Sequence, residues 1–126
     1  KGEYKLGYVY YRKDRVNKPN SKIKSKIIRK NYGWCDDPKS KLYNSLIKIR
    51  KKDKIRNEKL FRKDAKYNYL IPIKYNYFKP IKNKGSAIFI HLTKDYKPTL
   101  GCIALNKKDF IILSKLINKN SKIKIF

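Results

Sequence analysis

The sequence is short of the side chains that most often carry chemistry. Its 126 residues hold one histidine, two cysteines, one tryptophan and no methionine, and nine acids stand against 35 Lys and Arg. Two cysteines do not make a disulfide framework. One histidine and two cysteines are too few soft ligands for a four-ligand zinc site, so a metal enzyme is not expected. No apolar run approaches the roughly 20 residues of a membrane-spanning helix. The chain opens in mid-pattern at Lys1. It reads as a processed piece or fragment, truncated at its N-terminus, which leaves room for an upstream targeting segment and shows no export signal of its own.

What the sequence has in excess is positive charge, +26 net. A polycation gains affinity for nucleic acid by releasing counterions from phosphates. The alternative is a solvated lysine surface on a protein from an A- and T-rich genome, which favours Lys, Ile, Asn and Tyr codons. The lysines are spread along the whole chain and gather in no single arm. The second reading is therefore preferred, and nucleic acid is not expected as a partner. A basic surface also suits an anionic polymer such as a bacterial cell wall. Hydrophobic residues make up 40% of the chain, which excludes a disordered polycation and allows one domain with a core.

Hydrophobic spacing predicts a mainly β domain with a helix packed on one side. Tyr4, Leu6, Tyr8 and Tyr10 alternate at strand period. Residues 12–30 read as loop with room for one short strand. Gly33 and Asp37-Pro38 are expected to break any regular element in 31–44. "NEKLFRKD" (57–64) reads as one or two helical turns capped by Asn57. In "YNYLIPIKYNY" (67–77) the odd positions form one apolar face, and Pro72 argues for a sheet edge or a bulge. Ser86 to His91 reads as a buried strand with Ala87, Phe89 and His91 on one face. The best helix is 106–119, with Asn106 as N-cap, Leu105 and Phe110 as a hydrophobic staple, and an apolar stripe of Phe110, Leu113, Leu116 and Ile117. "SKIKIF" closes the chain as a strand.

The candidate chemistry lies in "HLTKDYKPTLGCIALNKKDF" (91–110). His91 ends a strand and Cys102 follows eleven residues later, just ahead of the helix. A thiol with a pKa of about 8.5 is mostly protonated at neutral pH and needs a base or a positive field to act as a nucleophile. A loop of this length can fold back and join imidazole to thiol. Gly101 lets backbone approach a substrate closely, and the N–H groups of Gly101 and Cys102 can point at a developing oxyanion. A buried structural thiol and a satisfied core histidine are the plain alternative.

The segment "GSAIFIHLTKDYKPTLGCIAL" resembles the active-site stretch of the L,D-transpeptidase (YkuD-like) catalytic domain family, in the subgroup with the pattern GSAIF-H…PT-GC-AL. The resemblance extends upstream through "KGEYKLGYVYYRKDRV", "GWCDDPKSKLYN" and "LFRKDAKYNYLIPIKYN", in the family's order, so that a single catalytic domain over residues 1–126 is implied. It implies a β-sandwich fold with one helix after the cysteine. It also implies Cys102 as nucleophile and His91 as base, with Thr99 and Ser86 near the site. The chain departs from the commoner family form at Leu100, where that form has His, and at Ala104, where it has Arg. Asn68 stands where the subgroup often has Asp.

The implied reaction is acyl transfer on the stem peptides of peptidoglycan, outside the cytoplasm, in the periplasm or at the cell wall, through a Cys102 thioester and without a cofactor. The outcome is a crosslink, or an L,D-carboxypeptidase reaction if water is the acceptor. A basic nucleic-acid-binding module without catalysis is the rival of another class. Trp34 is a candidate for stacking on sugar or for the core, Asp37 for binding a substrate amine or capping its own turn. Cys35 is expected to be a buried small residue.

Overall fold

The computed structural model describes residues 2–52, 54–94 and 102–125. Among them are ten strands and one helix: β1 (Gly2–Lys5), β2 (Val9–Tyr11), β3 (Ser25–Ile27), β4 (Tyr32–Cys35), β5 (Leu46–Lys48), β6 (Asn57–Lys59), β7 (Tyr69–Pro72), β8 (Phe89–Leu92), β9 (Ile103–Leu105), α1 (Lys107–Leu116) and β10 (Lys122–Ile125). The central sheet has the order β3-β2-β7-β8-β9, β4 to β6 form a second sheet ordered β5-β4-β6, and β1 pairs with β10. Pairings β2–β3 and β8–β9 are parallel and the others antiparallel.

Both faces of the central sheet are covered, so β7 and β8 are buried at every position and read as unbroken apolar runs. On one face Val9, Tyr11, Tyr69, Ile71, Ile90 and Leu92 pack with Phe110 and Ile117 of the helix region, and Tyr4 and Ile123 of the β1–β10 ribbon pack against them. On the other face Tyr10, Leu70 and Phe89 pack with Trp34 of β4 and with Leu60 and Tyr67. The mainly β architecture with a helix on one side is as expected. No described helix is long and apolar enough to cross a membrane.

A bulge changes the phase of the first strand. Tyr10 pairs with Leu70, yet Leu6 bridges Ile73, so the Leu6–Tyr10 side has one residue more than its partner. Tyr4 and Leu6 therefore share a face with Val9 and Tyr11, while Tyr10 turns to the opposite face. The expected Tyr4-Leu6-Tyr8-Tyr10 face does not form. Pro72 sits at this bulge in a strand paired on both sides, so of the two positions expected for it the bulge is right and the sheet edge is not. Its carbonyl accepts from Gly7 N–H at 2.7 Å, and its missing N–H lies where the β2 ladder is interrupted. The odd-position face of 67–77 holds for Tyr69, Ile71, Ile73 and Tyr75, but Tyr67 and Tyr77 belong to the other face.

Two further expectations fail. Residues 32–35 are a strand despite Gly33, whose missing Cβ lets Asn57 and Ile49 approach: a Cβ there would lie 2.5 Å from Asn57 Oδ1. Residues 57–59 are a strand and not a helical turn, because their backbone pairs with β4 and tertiary pairing overrides local propensity.

The helix starts as expected, with Asn106 Oδ1 accepting from Asp109 N–H. Its stripe differs at one position: Leu116 is 74% exposed, and the buried residues are Phe110, Ser114 and Ile117, spaced i, i+4 and i+7. Leu116→Gln is accordingly expected to move stability by no more than about 0.5 kcal/mol, whereas Phe110→Ala, at 0% exposure, should cost about 3–5 kcal/mol. Urea melts of the two variants check the contrast, and a comparable loss from both would refute it.

Candidate active site

His91 lies on β8 between Leu70 of β7 and Ala104 of β9, and is 1% exposed. Its ring meets Tyr67 edge-on at 5.7 Å. Nδ1 stands 2.9 Å from the Leu92 carbonyl, which fixes the proton on Nδ1 and leaves Nε2 as the lone-pair nitrogen. Nε2 is buried and has no hydrogen-bond partner among the described residues. His91 also lines a cavity of about 820 Å³ at the end of the central sheet, together with Lys66, Asn68, Lys94 and Asn106.

Cys102 immediately precedes β9 and packs, half-buried, on the Trp34–Phe89 face. Its Sγ donates to the Ala87 carbonyl at 3.4 Å. Ile90 pairs with Ile103 and His91 with Ala104 in a parallel ladder. Continuing that register by one residue sets Cys102 beside Phe89. Phe89 and His91 are two apart on one strand and face the same side, and parallel partners share a face. Thiol and imidazole thus occupy one face of adjacent strands, offset by one two-residue repeat, about 6.6 Å.

Burial sets the protonation of both groups. It pushes the His91 imidazole below its ordinary value, opposed by the Leu92 carbonyl and aided by Lys66 and Arg62. It pushes the Cys102 thiol up, opposed by the Phe89 amide and Lys66. Both groups are therefore neutral near pH 7.

Of the other expected residues, Gly101 and Thr99 lie outside the described residues. Ser86 is half-buried just ahead of β8. The strand there begins at Phe89 and not at Ser86, and Ala87 has φ +53°. Trp34 is 3% exposed; its Nε1 donates to Asn44 Oδ1 at 2.8 Å and its ring meets Phe89 edge-on at 5.3 Å, so it is a core residue. Asp37 accepts from the Lys39 N–H at 3.0 Å, a bond within its own turn that lowers its pKa. Cys35 is fully buried, and neither cysteine is in a disulfide.

Two positioning groups were not anticipated. Tyr67 stands against both Phe89 and His91, and its hydroxyl donates to Glu58 at 2.9 Å. Asn44 at φ +60° accepts from Trp34 Nε1 and Ala87 N–H and donates to the Tyr75 and Asn76 carbonyls. The signal for Asn44 was its residue type, since Asn tolerates positive φ and can both donate and accept.

The family model for the L,D-transpeptidase catalytic domain (YkuD) matches residues 1–125, essentially the whole chain. The chain belongs to this family. Searches of curated proteins and of solved structures return no match. The L,D-transpeptidase catalytic domain acts on peptidoglycan. The mainly β sandwich with a single described helix is the fold of that family.

Proposed function

We propose that this domain is a cysteine acyltransferase on peptidoglycan stem peptides, with Cys102 as nucleophile and His91 as base, working in the periplasm or at the cell wall. The observation that carries the reading is the buried Nε2 of His91, unpartnered among the described residues and on the same sheet face as Cys102. With Nδ1–H held by the Leu92 carbonyl, Nε2 is the nitrogen able to take a proton.

In the proposed reaction Cys102 Sγ attacks the carbonyl of the third stem residue, a diamino acid, and Nε2 takes the thiol proton. The N–H groups of Gly101 and Cys102 hold the oxyanion. The C–N bond to the terminal D-alanine breaks, and Nε2 returns the proton to the departing amine. A thioester remains. An amine from a neighbouring stem attacks it, giving a crosslink between two third-position residues and restoring the thiol. Water in place of the amine gives a tripeptide. Mass spectrometry of a disaccharide-tetrapeptide incubated with the protein tests this: D-alanine release with a dimer or tripeptide product is expected. Intact tetrapeptide after incubation with folded protein would refute it.

Because both groups rest neutral, the thiolate forms only as the base acts. Alkylation of Cys102 by iodoacetamide is expected to be slow at pH 5–7 and to climb above pH ~8.5. Cys35 is buried and does not compete. A plateau of fast alkylation at pH 5–7 would instead mean a standing thiolate–imidazolium pair.

A further inference from the structure

A second cavity, of about 540 Å³, opens at the bulge between β1 and β2 and shares no residue with the one at His91. Six lysines line it, Lys5, Lys22, Lys24, Lys26, Lys74 and Lys119, with no acid and no arginine among the lining residues. Aromatic rings hold two of the ammonium groups: Lys26 Nζ lies 4.8 Å from the Tyr8 ring centroid, and Lys74 Nζ 5.5 Å from that of Tyr77 and 5.7 Å from that of Phe78. Cation–π contact fixes flexible heads that would otherwise spread into solvent. Like charges gathered in a concavity focus a positive field, a cost that an anion removes.

We propose that this cavity binds a linear polyanion with repeated phosphate groups and no bases, as a site separate from the catalytic one. Three features select that chemistry. Ammonium groups are point charges, suited to successive single contacts along a charged chain, while the planar fork of arginine, which pairs bidentately with one carboxylate, is missing here. The lysines come from four separate segments and so follow a chain across the cavity. Single-strand nucleic-acid binders need free ring faces, yet Tyr10 and Trp34 are 4% and 3% exposed, and Tyr8 and Tyr77 already carry ammonium groups.

The test titrates the whole domain with long-chain inorganic polyphosphate over a range of salt. The cavity variant is Lys24→Gln/Lys26→Gln/Lys74→Gln. The control removes the same charge elsewhere, Lys51→Gln/Lys52→Gln/Lys108→Gln. Circular dichroism melts confirm that both are folded. The cavity variant should lose at least about tenfold in affinity and flatten the slope of log K against log salt by roughly two, at about 0.7 per contact. The control should change affinity less than threefold and the slope by under one. Tyr8→Leu, which removes the ring under Lys26 and no charge, should also weaken binding. Equal losses in the two triple variants, or none in the cavity variant, would mean only diffuse charge and overturn the site. Monophosphate binding as tightly as the polymer would overturn the chain-like ligand. Tighter binding of single-stranded DNA at equal charge would overturn the base-free one. None of these readouts depends on Cys102.

Discussion

Cys102→Ala is expected to abolish D-alanine release, with a fall in rate of at least about 10³-fold, because removing a nucleophile leaves only binding and oxyanion stabilisation. The protein should still fold. Cys102 is half-buried and packs at the border of the Trp34–Phe89 cluster, so losing one sulfur costs little. His91→Gln should lower the rate by about 10²–10⁴-fold, the usual worth of a positioned base. The two variants also differ in alkylation. His91→Gln keeps a thiol that iodoacetamide labels at high pH, and Cys102→Ala has none to label. Rates are read by mass spectrometry of the tetrapeptide reaction, with a thermal melt of each variant as control. Turnover that survives Cys102→Ala would remove the acyl-enzyme from the mechanism, whatever the fate of His91.

The pH dependence follows from the same burial. The His91 pKa is depressed in the folded protein, so the unfolded chain binds more protons as pH falls below about 6.5. Its contribution to stability is present above that value and is lost as pH falls through the folded pKa. Asp64 acts in the same direction lower down. Its pairing with Arg62 holds its pKa at about 2, so its contribution is lost as pH falls below the ordinary carboxylate range.

The helix was legible because its signals are local. Asn106, the Leu105–Phe110 staple and the apolar stripe through Phe110, Leu113 and Ile117 all lie within one short stretch. Only Leu116 was misplaced, since a stripe about 100° wide does not say which border residue faces solvent. The β-strand errors have a different origin. One inserted residue at Gly7–Tyr8 reverses every side chain before it, and nothing in the alternation of tyrosines records that insertion. Asn57–Lys59 is a strand because of β4, a partner more than twenty residues away. At the site, spacing alone left His91 and Cys102 as either a catalytic pair or two core residues. The family pattern, and then the register of β8 against β9, put both on one face. Residue type marked Asn44 as able to take a positive φ, but its partners could not be read, because they come from three separated segments.

Asn44→Ala is expected to be the most destabilising single polar substitution in the domain, at about 3–8 kcal/mol. The Asn44 side chain is 3% exposed and makes four hydrogen bonds. Its removal leaves Trp34 Nε1 and the Ala87 N–H without that acceptor, at about 1–3 kcal/mol each. Alanine at φ +60° adds about 1–2 kcal/mol of backbone strain. Asn44→Gly separates the two costs, since glycine accepts this φ freely and should recover about 1 kcal/mol while losing the same bonds. Urea midpoints with an unchanged m-value measure both variants. The effect should reach the active site as well. Ala87 N–H is bonded to Asn44, and the Ala87 carbonyl accepts from Cys102 Sγ, so a loosened Ala87 withdraws one of the contacts that orient the thiol. Asn44→Gly is therefore expected to lower acyl transfer at a temperature where the protein remains folded. Full activity together with a midpoint within 0.5 M urea of the parent would break the chain from Asn44 through Ala87 to Cys102.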